Sequence, residues 1–442
     1  MTDTNADLAN LPGTGQFFRT GNYAPVTDEL TTFDLPVEGA IPPELDGWYL
    51  RNGPNPRQAT AHWFTGDGMI HGVRIENGRA AWYRNRWVRT DSFKEDFPLY
   101  NADGTRNLRA GVANTHVVNH AGKTLALVES SLPYEITNDL ETMGAYDFGG
   151  KLVDSMTAHP KICPTTGELH FFGYGNLFQP HVTYHRADAH GELTINRPLD
   201  VKALTMMHDF AITAEHIIFM DLPVVFNLDI AFKGERDMPY RWDDEYGARL
   251  GVLRRDDPFG QVRWFEIDPC YVFHVANAFD SGNSIVLQAV RYPELWRHNS
   301  GFDTEGVLWS WTIDLERGTV AEQQLDDRSV EFPRIDDRLA GLPARYAVSV
   351  GTNTLVRYDL NTGGAVEHNF GAGGPGEAVF VPSANGPAAE DNGWYLGYLY
   401  DPERDGSDLV ILDAADFSGK VVTRILLPQR VPYGFHGNWI SA

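Results

Sequence analysis

The sequence predicts an all-β protein, with a β-propeller as the first architecture, and three observations carry that expectation. Glycine and proline, 43 and 26 of 442 residues, fall between short apolar runs instead of gathering in one linker. The runs themselves are rich in the β-branched and aromatic residues that suit a pleated sheet. One strand–turn–strand pattern also recurs, from Trp311-Thr-Ile-Asp314 to Gly318, from Val356-Arg-Tyr-Asp359 to Gly363, and from Ile411-Leu-Asp413 to Gly419. Its spacing matches the ~40–50 residues of a four-stranded propeller blade. Hairpins of this kind also occur in sandwiches and barrels, so those folds stand behind the propeller on the repeats alone.

The elements follow in order. Runs 69–75 and 80–90 flank Asn77-Gly78, a pair that tolerates positive φ and so marks a tight hairpin. Runs 115–120 and 124–129 flank Ala121-Gly122 in the same way, and later pairs flank His190-Gly191, 213–216 and 361–364. Helical periodicity is scarce; segments 326–342 and 228–248 are the main candidates for helix or irregular structure. The expected organisation is an N-terminal arm, 1–30, followed by one β domain, 31–442.

Composition excludes several functions. There are 36 basic and 60 acidic side chains, a net charge of −24, which opposes binding to a phosphate backbone and so to nucleic acid. Two cysteines, Cys163 and Cys270, supply neither a disulfide framework nor a thiolate zinc site, and suit a reducing cytoplasm. No apolar run reaches the ~18–20 residues that span a bilayer, and the first residues lack the basic and apolar regions of a secretion signal.

Histidine is the informative residue type. Of 15 histidines, His181, His185 and His190 sit beside charged or turn residues and suit solvated positions. His159, His208, His274 and His436 are instead enclosed by apolar or aromatic neighbours and lie far apart in the chain, as ligands delivered by separate blades would. A buried imidazole is neutral or partnered, and neutral imidazole is the commonest metal ligand. His71 and His116 have apolar neighbours too, so spacing alone leaves hydrogen-bonded core histidines as the simpler reading for any one of them.

Six segments add specificity. They are Leu45-Asp-Gly-Trp-Tyr-Leu-Arg-Asn-Gly-Pro-Asn-Pro56, Trp63-Phe-Thr-Gly-Asp-Gly-Met-Ile-His-Gly72, Ala158-His-Pro-Lys161, Met206-Met-His-Asp-Phe210, Glu331-Phe-Pro-Arg-Ile335 and Val431-Pro-Tyr-Gly-Phe-His-Gly-Asn-Trp439. In this order the chain resembles the carotenoid cleavage oxygenase family from about residue 30 to its end. The segments Trp82 to Thr90 and Thr124 to Ser130 look most like bacterial carotenoid and apocarotenoid cleavers. The resemblance implies a seven-bladed β-propeller whose axis carries non-haem Fe(II) under a dome of loops and helix. It implies His159, His208, His274 and His436 as the iron ligands. It further implies Glu129, Glu331 and Glu377 as carboxylates behind His208, His274 and His436 respectively, with none behind His159, and Thr115 as a residue whose methyl narrows one open position on the metal. Such carboxylates commonly fix the tautomer and ring angle of a ligating imidazole.

The function so implied is oxidative cleavage of a carbon–carbon double bond in a carotenoid or apocarotenoid by O₂, giving two carbonyl products without a reducing co-substrate. Phe64 is the leading pocket residue. Stilbene cleavage on the same site is the nearest rival. Its branch carries a lysine where this chain has Val128, but Tyr100 and Tyr134 are close enough in sequence to contact a phenol. An isomerohydrolase, which needs no O₂, is a further rival. Contact with a membrane surface through 222–228 is an open expectation, and oligomeric state is not set.

Overall fold

Positive φ at Asn77 and Gly78 (50° and 68°) reverses the chain so that Glu76 pairs with Arg79. Ala121 and Gly122 (50° and 76°) do the same for His120 and Lys123. Repeated along the chain, such turns build the blades. The computed structural model describes residues 17–58, 60–233, 237–385 and 388–442; the first sixteen residues of the expected arm lie outside them. Its strands form seven antiparallel sheets of four to six strands, plus one two-stranded ribbon, and the whole is a seven-bladed β-propeller. The recurring hairpins of the sequence fall in three successive blades: Val307–Asp314 with Thr319–Gln324 and Thr354–Asp359 with Gly364–Asn369 are the outer two strands of theirs, and Gly406–Asp413 with Thr423–Leu426 lies just inside the outermost strand of the last.

The innermost strands are His116–His120, Lys161–Ile162, Ala211–Ile212, Tyr271–Ser281, Glu331–Arg334, the split pair Gly374–Pro375 and Val379–Pro382, and Gly437–Ser441. Both chain ends close the ring. The last strand pairs with Gly47–Pro54 in the first blade, and Val37–Gly39 pairs with Thr423–Leu426 in the last. The motif Arg51-Asn-Gly-Pro-Asn-Pro56 clamps this joint. Asn52 bonds the carbonyls of Ala113 and His116, and its backbone exchanges bonds with Phe435 and His436. Gly53 lets Gly434 approach so closely that a Cβ would stand 2.8 Å from its Cα. Asn55 bonds both backbone groups of Val26 at 2.8 Å, so the described part of the arm is tied to the first blade.

Three expectations are corrected. Segment 326–342 holds the strand Glu331–Arg334 and one 3-10 turn, Asp337–Leu339, because Pro333 cannot continue a helix. Segment 228–248 holds, among the described residues, the six-residue helix Leu228–Lys233, the strand Tyr240–Trp242 and the first residue of the strand Ala248–Arg254. His185 is 1 % exposed and bonded to Asn196, so its charged neighbours misled. No helix among the described residues is long and apolar enough to cross a membrane. Segment 222–228 runs from interior to surface: Leu222 and Val224 are buried, Val224–Phe226 pairs with Tyr240–Trp242 in the two-stranded ribbon, and Leu228 is exposed.

Candidate metal centre and its cavity

Each blade sends one polar residue of the centre towards the axis. His159 and His208 lie just before the inner strands Lys161–Ile162 and Ala211–Ile212, His274 lies within Tyr271–Ser281, and His436 just before Gly437–Ser441. The remaining three blades supply Glu129, Glu331 and Glu377. The imidazoles converge: ring centres are 4.5 Å apart for His159 and His208, 5.0 Å for His159 and His274, and 4.7 Å for His274 and His436. His159 Nε2 and His208 Nε2 stand 3.0 Å apart.

Carboxylates fix three of the rings. Nδ1 of His274 donates to Glu331 at 2.5 Å and Nδ1 of His436 to Glu377 at 2.9 Å, while Nδ1 of His208 contacts Glu129. With Nδ1 as donor, each Nε2 presents a lone pair inward. The carboxylates are held in turn: Tyr174 donates to Glu129, Tyr292 to Glu331 at 2.8 Å, and Arg334 to Glu377 at 3.2 Å. His159 has no carboxylate on its ring among the described residues. Its backbone N–H donates to Thr157 Oγ1, which donates to the carbonyl of His208. Burial first, then the neighbouring imidazoles, push His159 and His436 far below the ordinary imidazole range. At His274 burial acts downward too, but the carboxylates around it, Glu331 first and then Asp209 and Glu377, together raise the ring. Nitrogens of His159, His274 and His436 lie close enough together to hold one ion, as do those of His159 and His208 with a Glu129 oxygen, and an imidazole-rich set of this kind fits a divalent transition metal.

The chain passes through the histidine plane on every blade, and its character changes there. Residues before the plane, such as Met206, Phe273, Phe332 and Phe435, line a cavity of about 760 Å³ beneath the dome. Residues after it, such as Lys161, Asn277, Arg334 and Asn438, line a smaller, more polar cavity of about 290 Å³. Phe64 is in the wall of the larger one, edge-on to Phe273 and Phe435, and is positioned by the 3-10 turn Trp63–Thr65 and by Asn114, which bonds its carbonyl. Val128 and Tyr100 line the same wall. Thr115 lines it beside His436, whose backbone N–H donates to the Thr115 carbonyl, and its hydroxyl donates to Asn114 Oδ1.

Tyr134 stands elsewhere. It is 2 % exposed, packs with Val117 and Ala126 in the blade core, and its hydroxyl accepts a bond from the Asp91 N–H. Proximity in sequence to Val128 does not bring it to the cavity; Val128 is in the lining and Tyr134 is in the blade core, with Ser130 at a positive φ of 65° between them. Sequence reasoning missed Phe332, whose ring stacks on His274 at 5.0 Å and whose φ of 52° is sparsely populated for a bulky residue. It also missed Tyr174, Tyr292 and Arg106, because nothing local separates them from ordinary strand or loop residues.

A family model described as "Retinal pigment epithelial membrane protein" matches residues 23–441. Among curated relatives, a carotenoid cleavage oxygenase of Mycobacterium tuberculosis is 38% identical over 95% of this chain and 96% of its own length. A carotenoid 9,10(9',10')-cleavage dioxygenase of Crocus sativus is 35% identical over 96% of this chain and 89% of its own. Among solved structures, cobalt-substituted Synechocystis ACO has a TM-score of 0.85 at 28% identity, covering 95% of this chain and 97% of that one. The lignostilbene dioxygenase of Pseudomonas brassicacearum has a TM-score of 0.87 at 27% identity, covering 98% of this chain and 100% of that one. With its seven blades, its convergent histidines and these relatives along nearly its whole length, the chain belongs to the carotenoid cleavage oxygenase family.

Proposed function

We propose that the protein is an Fe(II)-dependent dioxygenase that cleaves a double bond of a carotenoid or apocarotenoid to two carbonyl products. The observation that carries this is the convergence of four imidazoles, three of which, His208, His274 and His436, line a largely apolar and aromatic cavity. His159, His208, His274 and His436 would hold the iron, which when bound activates O₂ next to the alkene. Glu129, Glu331 and Glu377 sit on the Nδ1 side of their rings, fixing tautomer and angle so that each Nε2 is turned toward the metal. Thr115 narrows the space above His436. Phe64, Phe273, Phe332 and Phe435 exclude water and hold a flat polyene, and positioning of this kind selects the bond over the centre. No side chain is asked to act as a general base.

A second reading, stilbene cleavage, draws on the Tyr100 hydroxyl in the cavity wall and on the likeness to the lignostilbene dioxygenase. Against it, Val128 offers no donor to a phenolic oxygen, and an unpartnered buried hydroxyl costs ~1–3 kcal/mol. The test is incubation of iron-loaded protein with carotenoids, apocarotenoids and 4-hydroxystilbenes under isotopically labelled O₂, with products read by mass spectrometry. Labelled carbonyl fragments of a polyene are expected, with the polyene outcompeting the hydroxystilbene. The reverse preference would select the stilbene reading, and O₂-independent conversion would reject both.

A further inference from the structure

One cation stands in the wall of the large cavity without a counter-charge. Arg106 lines it together with Tyr100, Val128, Glu129, Ser130 and Tyr240. Its backbone is pinned by a pairing with Tyr100 and by Asn176 Oδ1, which accepts its N–H at 3.0 Å. Its side chain lies over the Tyr100 ring at 5.3 Å, with Nε on the Ser130 carbonyl at 3.2 Å and Nη2 on the Ser130 hydroxyl at 2.9 Å. Ser130 therefore occupies one edge of the guanidinium and the Tyr100 hydroxyl also reaches it, which leaves part of its five N–H donors for a ligand. Among the described residues no carboxylate comes within ion-pair distance of Arg106. Glu129 is engaged by His208 and Tyr174, and Asp237 by Arg241 and Ser300; Asp96 borders the same cavity without reaching it. Arg106 is half-buried and held in place, so a carboxylate that reaches it in the cavity meets a fixed set of donors.

We propose that Arg106 receives the carboxylate end of an acidic polyene, making apocarotenoid acids the preferred substrate class; this rests on the polyene reading given above. The planar guanidinium pairs a carboxylate through two parallel N–H donors, which neither a hydrocarbon ring nor an ester accepts as an anion. Arg106 contacts Ser130, and the next residue, Glu129, contacts His208. The acid end is thus anchored on the His208 side of the centre, and the polyene runs from there along Phe64 and Phe273.

The test uses iron-loaded protein under anaerobic conditions, where binding proceeds without turnover and polyenes quench the indole emission of Trp63 in the cavity wall. An apocarotenoid acid and its methyl ester are titrated against the unmodified protein, Arg106→Gln and Arg106→Lys. Gln keeps a donor for Ser130 without charge, and Lys keeps the charge. Expected are tighter binding of the acid by about tenfold or more in the unmodified protein, loss of that preference in Arg106→Gln, and its partial retention in Arg106→Lys, with ester affinity changed by less than about threefold. Equal affinity for acid and ester in the unmodified protein would overturn the proposal while leaving the polyene reading intact. So would an equal loss for both ligands in Arg106→Gln, which would make Arg106 a support for Ser130 and Glu129 only. Failure to bind either ligand would overturn the polyene reading itself.

Discussion

The two sides of the histidine plane are built for different work. Towards the dome, aromatic rings pack edge-on around a cavity of about 760 Å³ whose surface is mostly apolar. Towards the open face of the propeller, the smaller cavity is lined by Lys161, Asp209, Arg334 and Glu377, whose charges are paired. Asp209 shows the purpose. Its side chain, 2 % exposed, accepts from Lys161 at 2.8 Å and from the N–H of Val275 at 2.8 Å, tying the His208 strand to the His274 strand. The dome side selects what enters; the polar side keeps the ligand-bearing strands in register. Substitutions on the two sides should therefore fail in different ways.

Residues shared by both sides come first. His274 and His436 border both cavities, and either change to Ala should lower turnover by more than the ~100-fold that outer residues of such sites typically cost. Single-turnover assays against one polyene read it. Next, Glu331→Gln leaves the shape of the residue but weakens its bond to His274, and ~10–100-fold is expected in iron retention or rate. If Glu129, Glu331 and Glu377 all tolerate Gln without loss, these carboxylates do not orient the rings.

On the polar side, Lys161→Met strips the counter-charge from Asp209. Because Lys161 is only partly buried, at 21 % exposure, a loss of ~1–3 kcal/mol in chemical denaturation is expected, with substrate preference unchanged. A change in preference would break the division of labour. On the dome side, Val128→Lys should do the opposite, leaving stability nearly intact while shifting the polyene-to-hydroxystilbene ratio of kcat/KM toward the stilbene by ~5–150-fold. Competition of both substrates for limiting enzyme measures it.

Much of this was legible in the residues. Turn pairs such as Asn77-Gly78 announce hairpins because so few residues accept positive φ, and the hairpins spaced as blades announce the propeller. The four histidines stood out because apolar neighbours force an imidazole to be neutral or partnered. Their union at one point was not legible from spacing; it needed the resemblance, and then the blade geometry. Glu129, Glu331 and Glu377 were named by resemblance and are found on the rings of His208, His274 and His436. Tyr134 was misjudged because nearness in sequence says nothing about which side of a strand end a ring takes. Phe332 and Arg106 were invisible because one owes its position to a strained backbone and the other to a loop crossing over the axis.

The central claim is that these four imidazoles bind one iron. Iron content per chain, measured after anaerobic loading of the metal-free protein and removal of excess, tests it most directly. Close to one iron is expected in the unmodified protein and a marked loss in His159→Ala, His208→Ala, His274→Ala and His436→Ala alike. Iron binding should also raise the denaturation midpoint, since a ligand at 100 times its Kd stabilises by ~2.7 kcal/mol. A His274→Ala protein that still holds one iron and turns over at the unmodified rate would contradict the account.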